Sequence, residues 1–166
     1  CDGLADDCVM SGNGTDGVLV DAGTATNYDL RLALHNNACN DNGSHGVHFA
    51  GAASSGRFAI EIDGIRANSN GAGGMRCAGG SGAGKVNIQD FHFVRNTGHG
   101  LHVTCADGGG LPVSVDIAAR GGSVHSNTGD GVLVRTSGGG GGGKATFKDF
   151  TLHRNGGSGI DMNCPA

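Results

Sequence analysis

"NTGDGVLV", residues 127–134, decides the fold, because five other stretches of the chain share its form. They are "NGTDGVLV" at 13–20, "NGSHGVHF" at 42–49, "NGAGGMRC" at 70–77, "NTGHGLHV" at 96–103 and "NGGSGIDM" at 155–162. Each has a glycine just before its first apolar residue: Gly17, Gly46, Gly74, Gly100, Gly131 and Gly159. The intervals between these anchors are 29, 28, 26, 31 and 28 residues. Self-similarity at such a period marks a solenoid, whose units bury their apolar faces only against their neighbours.

The interior of the unit says which solenoid. An apolar-x-apolar triplet follows the anchors, as in Val18-Leu19-Val20, Val47-His48-Phe49 and Leu101-His102-Val103, the period-two signature of a strand with one buried face. A loop of small residues comes next, then alternating stretches such as "KVNIQD" and "KATFKD", then "FHFVRN" and "FTLHRN", which run into the next asparagine. The pattern predicts an all-β parallel β-helix of about six coils, roughly 28 residues and three short strands each, occupying 1–166 as a single domain. Four residues before every anchor stands an asparagine: Asn13, Asn42, Asn70, Asn96, Asn127 and Asn155. Stacking sets these side chains about 4.8 Å apart, close enough for a ladder of amide hydrogen bonds. Asparagine also tolerates left-handed backbone, and the nearby glycines provide positive φ and close approach. "NGT" at 13 and "NGS" at 42 are formal glycosylation sequons, but inward ladder residues would be inaccessible.

The repeated N-x-G-x-G-(V/I/L)-x-(V/F/M) coils resemble the right-handed parallel β-helix of the pectin lyase-like superfamily along essentially the whole chain. That resemblance implies fold far more than activity, since it spans polysaccharide lyases and hydrolases, tailspikes, adhesins and surface proteins.

Composition narrows the function. The 166 residues include 35 Gly, no Trp and one Tyr, with a net charge of −4. No basic field is present to hold a phosphate backbone, so nucleic acid is not an expected partner. No apolar run approaches the ~20 residues of a transmembrane helix. "GGSGAGKV" from Gly79 and "GGGGGGKA" from Gly138 imitate a phosphate-binding loop, but neither has the following Ser/Thr, and both lie between strands. No cofactor is expected. "HGVH" at 45–48 and "HGLH" at 99–102 lie two coils apart, so their histidines are not expected to converge on a metal.

Two residues after the anchors, the column Leu19, His48, Arg76, His102, Leu133 and Asp161 is expected to face outward. His48, Arg76 and His102 then form a polar row able to bind an acidic sugar. Catalytic residues are not identified. Asp16, Asp130 and Asp161 lie on scattered coils, without the paired carboxylates of a glycosidase. If the chain were an enzyme, it would be a polysaccharide lyase or glycoside hydrolase.

Six cysteines in a small Gly-rich chain favour an oxidising compartment and an extracellular or cell-surface location. Cys8 with Cys39 and Cys77 with Cys105 are candidate internal bridges, although columns two residues apart strain the geometry. Cys1 and Cys164 are candidates for a bridge between subunits, with a Cys1–Cys8 link as a rival among the fifteen pairings that six cysteines allow. No capping helix is evident at either end, and a head-to-tail stack would space successive anchors 24 residues apart, close to one coil. The leading expectation is a non-enzymatic structural subunit that assembles head to tail into a filament. The alternatives are a glycan-binding or polysaccharide-processing module, or part of an adhesin or tailspike shaft.

Overall fold

The computed structural model describes residues 2–23, 28–51, 56–79, 82–106, 114–137 and 144–163. These residues form two parallel six-stranded sheets and no helix. Sheet A stacks β1 (Asp2–Asp6), β3 (Asp29–His35), β5 (Gly56–Arg66), β7 (Gly82–Val94), β9 (Ser114–His125) and β11 (Lys144–His153), in that order. Sheet B stacks β2 (Val18–Asp21), β4 (His45–Ala50), β6 (Gly73–Gly79), β8 (Leu101–Ala106), β10 (Val132–Ser137) and β12 (Ile160–Asn163). Each strand pairs with its counterpart about 28 residues away, which makes a β-solenoid of about five turns.

The expected three strands per coil are two. "KVNIQD" and "FHFVRN" belong to the single strand β7, which bends where Asp90 adopts φ 49°. The bend recurs at the same place in each coil. Asp7, Asn36, Gly64, Asp90, Gly121 and Asp149 all have positive φ, and the pairing skips from Gln89–Arg120 to Phe91–Gly122 around it. Small polar residues and glycine fill this column because a bulkier left-handed residue is strained. The two loop sequences resembling phosphate sites lead into strands, with Lys85 inside β7 and Lys144 opening β11.

The asparagines form an unbroken ladder. Nδ2 of Asn13, Asn42, Asn70, Asn96 and Asn127 donates to Oδ1 of the next asparagine at 3.0, 3.1, 3.0, 3.0 and 3.0 Å. The same Oδ1 atoms accept the backbone N–H of the asparagine before them, as Asn96 does from Asn70 at 2.9 Å. The left-handed residue is not the asparagine but its predecessor: Gly12, Asp41, Ser69, Arg95, Ser126 and Arg154 have φ between 54° and 73°. That turn frees each asparagine to aim inward. Asn42 is 2% exposed, which closes its sequon, whereas Asn13 at the open end of the ladder is exposed.

The anchor glycines serve close approach, not positive φ. A Cβ on Gly46 would stand 2.5 Å from Ala67 Cβ and 2.8 Å from Gly74 O, and only Gly159 of the last coil meets nothing within 4 Å among the six anchors. Beside them the core is continuous, with Val47, Phe49, Met75, Phe91, Phe93 and Leu101 at 0% exposure. Phe49 packs on Phe58 at 4.9 Å between ring centroids, and Phe91 on Phe93 at 5.2 Å.

The pairing expected of Cys8 and Cys39 is corrected, since both are separate thiols. Val9 pairs with Ala38, so Cys8 lies beside Asn37 and Cys39 beside Met10. That diagonal offset, roughly 7–8 Å, exceeds the reach of a disulfide. Burial, followed by the nearby Cys8, pushes the Cys39 thiol up to about 11. The same offset separates the other pair, because Cys77 faces Val103 and Cys105 faces Gly79. Cys1, Cys164 and the side chain of Cys105 lie outside the described residues.

Candidate functional site

The residue after the first triplet position does form one column of sheet B. Leu19, His48, Arg76, His102, Leu133 and Asp161 are partners in unbroken register. The column is not uniformly open to solvent, since Leu19 is 55% exposed and Leu133 only 3%. His48, Arg76 and His102 are half-buried neighbours, and Arg76 Nε is buried without a hydrogen-bond partner among the described residues.

The repeated His-Gly-x-His sequence adds a second row that the alternation rule concealed. Residues three apart on a regular strand face opposite ways. Here Gly46 and Val47 are both buried, so the chain turns at the anchor and His45 and His48 emerge on the same side, their rings 4.8 Å apart. Gly46 faces Ala67 there, where a side chain would have no room. His99 and His102 repeat the arrangement at 5.0 Å. Between the two pairs the corresponding residue is Gly73, and the missing side chain leaves a cleft of about 250 Å³ lined by His45, Met75, Thr97, His99 and His102.

The carboxylates distinguish the pairs. Asp16, one coil before His45, accepts the His45 backbone N–H at 2.8 Å; its Oδ1 lies 3.1 Å from His45 Nδ1 and its Oδ2 3.3 Å from His48 Nδ1. Burial alone raises the Asp16 pKa, but the hydrogen bonds from His45, Ser44 and His48 prevail and hold it below the usual carboxylate range. For the other pair the acid is Asp130, one coil later, and it reaches His99 alone at 3.2 Å. Asp130 N–H donates to His99 Nδ1 at 3.0 Å, which leaves the ring proton on Nε2. Asp161, the third scattered aspartate, lies 3.6 Å from Arg135.

Burial, then the charges of His99, Arg76, Arg135 and His45, push His102 down to about 4. A histidine depressed in the folded state binds its proton more readily when unfolded, so its contribution to stability is complete above about pH 6.5 and declines as pH falls toward 4. Burial lowers His45 as well, against the opposing pull of Asp16. The melting temperature is therefore expected to fall between pH 6.5 and 4, with His102→Asn flattening the decline; NMR titration of the His102 ring checks the cause directly.

A further cluster lay in the sequence unrecognised. Arg66, His92, Arg95 and His125 line a shallow groove of about 440 Å³ outside sheet A, and His125 stacks on His153 at 4.5 Å and 9°. The repeated endings "FHFVRN" and "FTLHRN" carried that signal. No family model matches the chain, and no curated protein or solved structure matches it. No helix among the described residues is long and apolar enough to cross a membrane.

Proposed function

We propose that the chain is an exported structural β-solenoid subunit, built on the fold of the pectin lyase-like superfamily, that stacks head to tail with further copies into an extracellular or surface filament. The observation that carries this reading is the polarity of the asparagine ladder. In all five asparagine-to-asparagine links Nδ2 donates toward the later coil, so Asn155, whose Nδ2 spends one hydrogen on Val124 O, presents its other hydrogen at one end and Asn13 an acceptor oxygen at the other. A second copy continues the ladder without changing its direction.

Three further features suit the same register. Ile160 and Met162 occupy the inward columns of Val132 and Val134, yet they are 41% and 47% exposed where those two are 0% and 3%. Covering the pair stabilises a junction by about 1 kcal/mol per side chain. Opposite them, Val18 and Val20 are the half-buried ends of these columns. In sheet A, Gly3 and Ala5 begin the columns that end in Ala145 and Phe147, so Gly3 would meet a second small residue and Ala5 a large one.

Charge agrees as well. Residues 1–28 contain five aspartates and no Lys or Arg, whereas Lys144, Lys148 and Arg154 lie in the last coil. Tracing the register through all six strands puts Asp2 in the column of Lys144 and Asp6 in that of Lys148. Asp7 meets the column of Asp149, a single like-charge contact among opposite ones. A bridge between Cys1 and Cys164 of successive copies, both outside the described residues, belongs to the same proposal.

The test is light scattering at rising concentration. Mass is expected to grow with concentration for the native chain and to remain that of one subunit for Met162→Lys, which sets an ammonium in the junction while leaving the inner coils untouched. Asp6→Lys and Lys148→Asp are each expected to weaken growth, and the double exchange to restore it. A native chain that stays one subunit at every concentration would sink the proposal.

A further inference from the structure

We propose that Asp16, His45 and His48 form a binding site for one divalent transition-metal ion of the zinc type. One donor atom from each of the three residues lies within 4.8 Å of the other two. Bonds of about 2.0–2.2 Å at angles between tetrahedral and square place neighbouring ligand atoms about 2.9–3.4 Å apart. Asp16 Oδ1 stands 3.1 Å from His45 Nδ1 and Asp16 Oδ2 3.3 Å from His48 Nδ1, so each imidazole already lies at that distance from one oxygen of the carboxylate. An ion bound at both Nδ1 atoms would take the place of their contacts with Asp16, each neutral ring keeping its one proton on Nε2.

The ligand chemistry selects the ion. Two imidazoles and one carboxylate suit Zn²⁺ or Co²⁺, whereas Ca²⁺ and Mg²⁺ seek oxygen alone. Metal ligation needs neutral imidazole. The three groups are fixed by neighbours: His45 N–H and Ser44 Oγ position Asp16 and the His45 ring, and the Gly46 turn sets the two rings side by side. Arg76, the register partner of His48, opposes a second positive charge and holds the affinity below that of a closed four-ligand site. Three protein ligands leave one position for water.

The second His-Gly-x-His copy is a control written into the chain. His99 and His102 occupy the equivalent backbone positions, but Asp130 approaches from the following coil and meets only His99, through a nitrogen that already accepts the Asp130 N–H. The carboxylate must come from the preceding coil to reach both rings, as Asp16 does. Because Asp16 belongs to the first described coil and the histidines to β4, the ion would tie one coil to the next.

Titration of the native chain with Co²⁺ and then Zn²⁺, followed by absorption and calorimetry, tests the site. One equivalent is expected to bind with the visible band of nitrogen and oxygen ligation, to be displaced by Zn²⁺ and to raise the melting temperature. Asp16→Asn, which keeps an acceptor for His45 N–H, and His48→Ala, in a column that holds leucine at positions 19 and 133, are each expected to weaken binding more than about a hundredfold. His102→Ala is expected to bind as the native chain does. Absence of a saturable Co²⁺ signal, full binding by both site variants, equal loss in His102→Ala, or a thiolate charge-transfer band would each overturn the assignment.

Discussion

Asn96→Leu is expected to destabilise the fold by about 3–5 kcal/mol, since it orphans several buried groups at once. The Asn96 side chain is 1% exposed and makes four hydrogen bonds. Its Oδ1 accepts from Asn70 N–H at 2.9 Å and Asn70 Nδ2 at 3.0 Å, while its Nδ2 donates to Ala67 O and Asn127 Oδ1, both at 3.0 Å. Leucine fills a similar volume but leaves the two Asn70 donors and the Ala67 carbonyl dry, at about 1–3 kcal/mol for each unmet group before relaxation. Asn13→Leu serves as the comparison. Asn13 is exposed and accepts nothing from a preceding coil, so its replacement is expected to cost about 1 kcal/mol or less. Urea denaturation of the two variants beside the native chain measures the difference. Equal midpoint shifts would mean that the ladder ties the coils no more strongly inside the stack than at its end.

Gly74→Ala is expected to be nearly as damaging, at about 3 kcal/mol, for a steric reason. A Cβ there would stand 2.6 Å from Gly100 O and 2.9 Å from both Cβ and Cγ of Phe93. Phe93 is fully buried against Phe91, and Gly100 O belongs to the backbone of the next coil, so neither can withdraw without moving a strand. The one-methyl change therefore widens the spacing between two coils. Gly159→Ala at the equivalent position of the last coil meets nothing within 4 Å and is expected to change the urea midpoint little. If Gly74→Ala were as benign as Gly159→Ala, the anchors would not be close-approach residues.

The repeat made the solenoid legible because stacking constrains every coil in the same way. Asn42, Asn70, Asn96 and Asn127 had to be asparagine for each to donate one amide forward and accept another, so a column of identical residues announced itself. Backbone conformation was less visible. Gly12, Asp41, Ser69, Arg95, Ser126 and Arg154 share positive φ but almost no chemistry, and the strain was therefore assigned to the uniform asparagine beside them. The bend at Gly64, Asp90 and Gly121 likewise joined two expected strands into one, since alternation of apolar residues resumes on the far side of it.

At the candidate site, period-two reasoning placed His48, Arg76 and His102 in one column correctly. It hid His45 and His99, because the rule that assigns faces fails at the packed anchor glycine between the two histidines. It also set Asp16 aside as an isolated acid. Only the stacking of coil on coil brings residue 16 against residues 45 and 48, at separations in sequence of 29 and 32. The cysteine pairs failed for a related reason, as neighbouring columns two residues apart look adjacent in sequence but lie on a diagonal.

The most direct test of a solenoid that continues through its ends is negative-stain electron microscopy of the native chain at high concentration, with and without reductant. At about 4.8 Å per rank, the six strand ranks of the described residues span about 29 Å. Unbranched rods that lengthen with concentration and reach many times that length are the predicted result, with reductant shortening them if Cys1 and Cys164 staple the junctions. A field of single short particles under both conditions, at concentrations where the chain remains dissolved, would contradict the account.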